Sequence, residues 1–152
     1  MTEHRDAARA MTAECLCFRA RRVSRALTRL YDEALRPLGI QATQLTLLNA
    51  VAMCGEDGAP MGRVAEVLAM DGTTLSRNLR PLEKAGLVRI ARLPGDRRVR
   101  LAQLTPAGRR RVAEALPLWA QAHRRVVAAL GAEPAAELRL RFDAAAAAAA
   151  AA

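Results

Sequence analysis

The chain has 152 residues, a length that suits one domain, and it carries 24 Lys and Arg against 15 Asp and Glu, for a formal net charge of +9. Its longest uncharged stretches of mixed sequence, such as residues 41–55, are shorter than the roughly 20 apolar residues that a membrane-spanning helix needs, and residues 1–10 lack the apolar core of a signal peptide. Three cysteines without a Cys-x-x-Cys pair, together with two histidines, argue against a disulfide framework and a structural zinc site, so we expect a cytoplasmic protein with no metal and no cofactor.

The excess of positive charge lies in one quarter of the sequence. Residues 73–111 contain eleven cations and two anions, so this segment alone accounts for the net charge and the remainder is neutral. A partner with dense negative charge is indicated, and both nucleic acid and an anionic membrane surface qualify. The segment contains no aromatic residue, which argues against stacking of single-stranded bases. The alternative at this point is a solvated basic surface without a partner.

The first predicted helix spans residues 16–34, where apolar side chains recur at steps of three and four. Pro37 and Gly39 end it. A second helix follows, with Thr43 as its predicted N-cap. Pro60 is then predicted in the first turn of a short third helix.

The fourth predicted helix runs from about Thr73 to Ala85 and has two distinct faces. Three leucines lie within about 60° of one another around the helix axis, which predicts a buried side made of Leu75, Leu79 and Leu82. The opposite side carries hydroxyls and cations, namely Thr73, Ser76, Arg77, Arg80 and Lys84. A helix of this kind packs on a scaffold while its polar side meets an anionic partner.

Two short alternating segments, within residues 87–93 and 99–101, flank a Pro94-Gly95 turn and predict a β-hairpin with arginines at its tip. Thr105 and Pro106 then predict the start of a long helix, as its N-cap and first-turn proline. A last helix is predicted after residues 131–134. Residues 144–152 are an unbroken alanine run to which we assign no function.

These elements predict a mainly α-helical single domain over residues 1–152, with a small β-hairpin wing (an α+β fold). A winged helix-turn-helix is predicted at residues 40–104, flanked by long dimerisation helices at residues 10–36 and 105–143 and followed by the poly-Ala tail at residues 144–152. The DNA major groove, about 12 Å wide, admits one helix, so the fourth helix is the predicted reader and the wing is placed to reach the minor groove. Apolar stripes on the first and last long helices are wider than the wing region needs, which predicts a homodimer.

The order of these motifs resembles the MarR family of bacterial transcriptional regulators. The resemblance covers most of residues 15–130 and rests on TTLSR at 73–77, LEKAGLV at 82–88, GDRR at 95–98 and LTPAG at 104–108. It implies a homodimer that binds a pseudo-palindromic duplex operator and usually represses transcription, and it implies that Asp96 orients Arg98 for entry into the minor groove. The predicted DNA-binding residues are Thr73, Thr74, Ser76, Arg77, Arg80, Lys84, Asp96, Arg97 and Arg98.

The three cysteines are the residues whose side-chain chemistry could respond to a signal. Cys17 within the run 16–18, with Tyr31 fourteen residues later, resembles the peroxide-sensing OhrR branch of the family. This resemblance implies that Cys17 is the oxidised thiol and that Tyr31 hydrogen-bonds it. Cys15 is a candidate for the neighbouring thiol in a redox change. The alternatives are inert cysteines, a soft metal or metalloid bound by thiols that include Cys54, and a small aromatic acid bound in an interhelical pocket near Trp119.

Two other classes of protein compete with a DNA-binding regulator. No paired carboxylates, Ser/His/Asp arrangement or phosphate-binding loop is present in the sequence, so an enzyme is not expected. A basic module for RNA or an anionic membrane is the remaining alternative. Membrane binding requires large apolar residues exposed opposite the cations, whereas the three leucines of the fourth helix are assigned to the core.

Overall fold

The computed structural model describes residues 3–55 and 58–151, apart from the side chains of Glu3 and Arg97. Its helices are α1 (Glu3–Glu14), α2 (Leu16–Leu35), α3 (Ala42–Cys54), α4 (Met61–Val67), α5 (Gly72–Lys84), α6 (Pro106–Leu130) and α7 (Ala132–Ala151), with a short 3-10 turn at Arg36–Leu38. The strands are β1 (Ala59–Pro60), β2 (Val88–Leu93) and β3 (Asp96–Leu104), antiparallel in the order β1-β3-β2. This architecture confirms the predicted helical fold with a small β-hairpin wing. None of the described helices combines the length and the apolar character that crossing a bilayer requires.

An N-terminal helix that the apolar pattern does not predict precedes α2. The residues of α1 whose side chains are described are exposed, so the helix has no buried stripe from which periodicity would indicate it. Cys15 separates the two helices: its backbone is extended, and its sulfur accepts a hydrogen bond from the Phe18 amide at 3.4 Å as the N-cap of α2. The Arg19 guanidinium donates to the Ala13 carbonyl at 2.6 Å and joins α2 to α1.

Two of the predicted helix starts are wrong by one or two residues. Gln41, rather than Thr43, is the N-cap of α3, and its amide donates to the Gln44 side chain at 3.0 Å in a reciprocal capping pair. Pro60 is the N-cap of α4 rather than part of its first turn, because β1 pairs with β3 and Pro60 lies opposite Leu101. A strand of two residues carries no alternating pattern, so the sequence predicts only the hairpin.

The larger hydrophobic core lies between α3, α4, α5 and the sheet. Leu75 and Leu79 of α5 are fully buried and Leu82 is 1% exposed, which confirms the buried side predicted for this helix. They pack with Leu48 and Val64, and burial of each such side chain contributes about 1.5–3 kcal/mol. A smaller cluster, made of Leu35, Ile40, Leu45 and Ala115, joins α2, α3 and α6. The core therefore fixes α5 by one side and leaves its other side free.

The junction between the sheet and α6 is held by Thr105, the predicted N-cap. Its hydroxyl accepts a hydrogen bond from the Gly108 amide at 3.0 Å and donates to the Gly86 carbonyl at 2.6 Å. Its own amide donates to the Leu87 carbonyl at 3.0 Å. Gly86 has a φ of +68°, a left-handed conformation that glycine adopts without strain. The exit of α5, the start of β2 and the start of α6 consequently meet at one point.

Apolar side chains on the long helices remain uncovered in a single chain. Leu16 of α2 is 76% exposed, Leu116 of α6 is 61% exposed and Leu140 of α7 is 70% exposed. Helix α7 continues through most of the alanine run, and Pro117 lies within α6. These exposed side chains lie on the helices that the sequence predicts to form the dimer.

Candidate nucleic-acid interface

The N-terminus of α5 is fixed by a side-chain cap at Asp71. Its Oδ1 accepts a hydrogen bond from the Thr74 amide at 2.9 Å, and its Oδ2 accepts one from the Thr74 hydroxyl at 2.6 Å. The hydrogen bond from the Thr74 hydroxyl, followed by that from its amide, holds the pKa of Asp71 below the ordinary value for aspartate. No role of Asp71 was predicted from the sequence, although an aspartate directly before a helix is a common N-cap. Thr74, a predicted DNA contact, is engaged in this cap.

The side of α5 opposite the leucines is exposed and basic. Thr73, Arg77, Arg80 and Lys84 are exposed and Ser76 is half-buried, so this helix face brings five predicted contact residues together. In the part of the chain that the structure describes, the side chains of its three cations form no ion pair and no hydrogen bond within the protein. They are available to an anionic partner.

Asn78 belongs to the packed side of α5 rather than to its basic face. The side chain is half-buried, and its amide nitrogen lies 3.9 Å from the sulfur of Met70. This contact indicates a packing role and agrees with its position near the apolar side of the helical wheel.

Strands β2 and β3 form the wing, and Asp96 shapes its tip. Its Oδ1 accepts a hydrogen bond from the backbone amide of Arg98 at 2.9 Å, next to Gly95 with a φ of +89°. The resemblance implied that this carboxylate orients Arg98. In the structure it holds the Arg98 backbone amide, because an aspartate side chain two residues before an amide closes an Asx turn. Arg98 is exposed, and the side chain of Arg97, a predicted contact, lies outside the described residues.

The cations of residues 73–111 fall into two groups, which the sequence does not distinguish. Three are bound within the protein: Arg89 donates to the Gln103 side chain at 2.6 Å, Arg109 to the Leu104 carbonyl at 2.9 Å, and Arg111 to the Leu38 carbonyl at 2.6 Å. The second group consists of cations whose side chains form no hydrogen bond or ion pair with residues 3–55 and 58–151. Its members are Arg77, Arg80, Lys84, Arg92, Arg98, Arg100 and Arg110. The second group lies on α5, on the wing and at the start of α6.

Within one chain, Tyr31 lies apart from the two predicted sensing cysteines. Cys15 and Cys17 are exposed at the start of α2, whereas Tyr31 lies fourteen residues beyond Cys17 on the same helix, about 21 Å along its axis. The Tyr31 hydroxyl is instead 3.2 Å from Nδ1 of His123, whose ring stacks on Trp119 with centroids 4.9 Å apart. Within one chain Tyr31 therefore does not contact Cys17, and their hydrogen bond stays a prediction. Burial raises the pKa of Tyr31.

The third cysteine, Cys54, is half-buried at the end of α3 and packs against the core. No group of three or more His, Cys, Asp or Glu within the described ranges is placed to hold a metal ion. The thiol-bound metal considered from the sequence thus has no preformed site among these residues.

A cavity of about 470 Å³ lies between α2, the start of α3 and Phe142 of α7. Tyr31, Leu27 and Thr46 are among the residues that line it. Through its hydroxyl, Tyr31 connects this cavity to the His123 and Trp119 pair on α6. The cavity is a concave site for a small ligand, the other alternative raised by the sequence.

The Asp71 cap predicts a pH-dependent stability. Because its pKa is lowered in the folded protein, the cap stabilises the fold fully above the unfolded aspartate pKa of about 3.9, and this stabilisation is lost as the pH falls through the lower folded value. We expect wild type to melt at a higher temperature than Asp71→Ala at pH 6, with the difference shrinking below about pH 4. Thermal unfolding of both proteins across this range checks the expectation, which a constant difference would contradict.

Comparisons with known proteins agree with this geometry. Residues 38–99, which extend from the end of the 3-10 turn into the wing, match the model of the MarR family. The chain is similar to the transcriptional regulator MosR of M. tuberculosis in its complex with DNA, with 36% identity over 91% of this chain and 96% of that chain and a TM-score of 0.75. It is also similar to a mutant of MarR from E. coli complexed with operator DNA, with 26% identity over 89% of this chain and 96% of that chain and a TM-score of 0.78. A search of curated protein sequences finds no match.

Proposed function

Because the chain belongs to the MarR family of transcriptional regulators, whose members are DNA-binding proteins and not enzymes, we propose that it is a homodimeric repressor of a pseudo-palindromic duplex operator. The observation that carries this proposal is the basic face of α5. Its cations have no partner in the described part of the chain, and the leucines behind them fix the helix to the core. A helix presented in this way fits the major groove, which is about 12 Å wide.

The residues of the interface divide by the chemistry that each supplies. Arg77 and Arg80 each present a guanidinium, which pairs bidentately with the O6 and N7 atoms of guanine. Thr73 and Ser76 supply hydroxyls for phosphate oxygens, and Lys84 supplies a point charge for the backbone. Arg98, at the exposed tip of the wing, is proposed to enter the minor groove, whose negative potential attracts arginine.

A homodimer accounts for the uncovered apolar stripes of the long helices. A second copy that packs against α2, α6 and α7 would bury side chains such as Leu16, Leu116 and Leu140. Two-fold symmetry then places two α5 helices one turn of DNA apart, which corresponds to a pseudo-palindromic site. Sedimentation of the protein without DNA measures whether it is a monomer or a dimer.

Selection of bound duplexes from random DNA, followed by a salt titration on the selected site, tests DNA recognition. We expect a steep fall of log affinity with log salt concentration, since several phosphates are neutralised. Arg98→Ala should weaken binding and reduce the magnitude of this slope by about one. Arg124→Ala, an exposed arginine of α6 outside the interface, serves as the control. Equal affinity for single-stranded RNA, or an unchanged slope for Arg98→Ala, would contradict the proposed interface.

The signal that we propose is oxidation of Cys17, with Cys15 as the second thiol. The thiolate of Cys17 attacks one peroxide oxygen, the O–O bond breaks, and a sulfenic acid and an alcohol (or water) form. The Cys15 thiol then attacks the sulfenic sulfur, forming a disulfide and releasing water, so two thiols are oxidised while one peroxide is reduced. Both cysteines are exposed, and Cys15 is the N-cap of α2 through its sulfur. A disulfide at this position would remove that cap and alter the junction between α1 and α2.

Treatment of the protein with an organic hydroperoxide is expected to weaken operator binding by wild type at least about tenfold, equivalent to 1.4 kcal/mol, and to leave binding by Cys17→Ser unchanged. Mass spectrometry of the peptide that contains Cys15 and Cys17 should show the loss of two hydrogens. Cys54→Ser is the matched control and should respond as wild type does. An equal response of Cys17→Ser and wild type would rule out the thiol mechanism.

A small ligand in the cavity between α2 and α3 is a second candidate for the signal. The cavity of about 470 Å³ admits one aromatic ring, and the Tyr31 hydroxyl at its wall is a polar group for orienting it. Because α3 packs on both α2 and the core that holds α5, a ligand there would act on the position of the reader helix.

A further inference from the structure

The DNA-binding region, which comprises α3, α4, α5 and the wing, is joined to the long helices at two places. One is the junction at Thr105, where β3 continues into α6. The other is residues 36–42, which connect α2 to the start of α3 and which we call the entry segment. A body that is attached at one point can still rotate about it. The contacts of the entry segment therefore determine how α5 is oriented relative to the long helices.

Two charged side chains of the long helices bind the backbone of the entry segment. Arg111 of α6 donates from Nη1 to the Leu38 carbonyl at 2.6 Å, and Asp32 of α2 accepts from the Ala42 amide through Oδ1 at 2.7 Å. The first contact holds the end of the 3-10 turn, and the second holds the first residue of α3. The segment is thus fastened at two points, once to each long helix.

Both contacts belong to a strong class of hydrogen bond. Each joins a guanidinium or a carboxylate to a backbone group in a part-buried position, and charge-assisted hydrogen bonds are roughly twice as strong as neutral ones. The side chain of Arg111 is 32% exposed, and its Nε lies 3.4 Å from the Glu114 carboxylate, which helps to hold the guanidinium in place. The Asp32 carboxylate lies at the N-terminus of α3, where the helix dipole favours a negative charge.

The apolar contacts around the entry segment do not fix this orientation by themselves. They form the small cluster of Leu35, Ile40, Leu45 and Ala115 between α2, α3 and α6. Apolar burial depends on the area removed from water and not on direction, so the cluster permits small rotations of one helix against another. Hydrogen bonds of 2.6 and 2.7 Å permit much less rotation, because they weaken steeply as their angles change.

We propose that Asp32 and Arg111 are positioning residues that set the separation and relative rotation of the two reader helices, and thereby the half-site spacing that the dimer accepts. The inference rests on the proposed homodimer, in which the long helices form the shared part and each entry segment carries one DNA-binding region. One base pair added between the half-sites moves them about 3.4 Å apart and rotates them by about 35° around the DNA axis. A dimer with fastened entry segments cannot follow this change, whereas a dimer with loose ones can.

Binding to duplexes with altered spacing tests this inference. The measured quantity is the spacing preference, which is the affinity for the selected operator divided by the affinity for the same operator with one base pair added to the spacer. We expect a preference of at least about tenfold for wild type and of about threefold or less for Arg111→Met, which retains an unbranched apolar side chain but lacks the guanidinium. Because both affinities come from one protein sample, partial unfolding does not change their ratio.

Substitutions of Asp32 test the second contact independently. Asp32→Ala should reduce the spacing preference as Arg111→Met does, whereas Asp32→Asn should keep it, because its carboxamide oxygen still accepts from the Ala42 amide. Arg110→Met is the matched control on α6. The Arg110 side chain is exposed and forms no hydrogen bond or ion pair with residues 3–55 and 58–151, so this variant should show the wild-type spacing preference even if it binds both duplexes more weakly.

Three results would overturn the inference. A wild-type spacing preference in Arg111→Met and in Asp32→Ala would show that the two contacts do not set the spacing, and it would leave the proposed repressor standing. An equal loss of preference in Arg110→Met would show that any change at this end of α6 has the same effect. Wild-type protein that binds both duplexes equally would contradict the inference and the proposed dimer on its pseudo-palindromic operator together.

Discussion

Replacing Gly108 with alanine is expected to lower the free energy of unfolding by about 3 kcal/mol, a large effect for one methyl group. A Cβ at this position would overlap the carbonyl oxygen of Leu87. That carbonyl cannot move away freely, because it accepts the Thr105 amide at 3.0 Å, while the Gly108 amide donates to the Thr105 hydroxyl. The new methyl group therefore forces apart the junction of α5, β2 and α6. Urea unfolding of the two proteins measures the difference.

Gly62→Ala is the matched control for this experiment. Gly62 lies within helix α4, and a Cβ added there meets no atom within 4 Å. Alanine should therefore be neutral or stabilise the helix by up to about 1 kcal/mol. Similar unfolding midpoints for the Gly108 and Gly62 variants would show that the close approach of α6 to the residue before β2 does not contribute to the stability of the fold.

Replacing Arg77 with alanine is expected to weaken binding to the selected operator by about 10- to 100-fold, equivalent to about 1.4–2.7 kcal/mol. Arg77 is exposed on the basic face of α5 and has no partner inside the described part of the protein, so its guanidinium is free to pair with a guanine. The stability of the fold should not change, because the side chain makes no contribution to the core. Binding isotherms on the selected duplex and on a random duplex measure the effect.

Arg77→Lys separates base recognition from phosphate contact. Lysine retains the charge but lacks the planar fork, so the variant should lose preference for the selected site while retaining most of its affinity for random DNA. Arg124→Ala, on the exposed side of α6, should bind both duplexes as wild type does. If Arg77→Ala weakened binding to the selected duplex and to the random duplex by the same factor, Arg77 would contact phosphate and not a base.

Elements with a strong local signal were predicted from the sequence. Periodicity indicated α2 and the buried leucines of α5, alternation indicated the hairpin, and Thr105 with Pro106 marked the start of α6. These signals act within a few residues and need no knowledge of the fold. The two missed elements lack them, since α1 has no buried stripe and β1 has only two residues, which pair with a strand some forty positions later.

Charge counts along the chain already assign the net charge of the protein to residues 73–111, and helical periodicity already gives the helix in this segment a buried and an exposed side. The folded structure is needed to show which of these cations are free to meet an anionic partner. Arg111 binds the carbonyl of Leu38, 73 residues away, and Arg89 binds Gln103 across the wing, while Arg77 and Arg80 remain free in the described part of the chain. In the same way, the structure pairs Tyr31 with His123 on α6 rather than with Cys17. The physical reason is that charge and helix periodicity are properties of neighbouring residues, whereas a hydrogen-bond partner depends on which distant segments the core brings together.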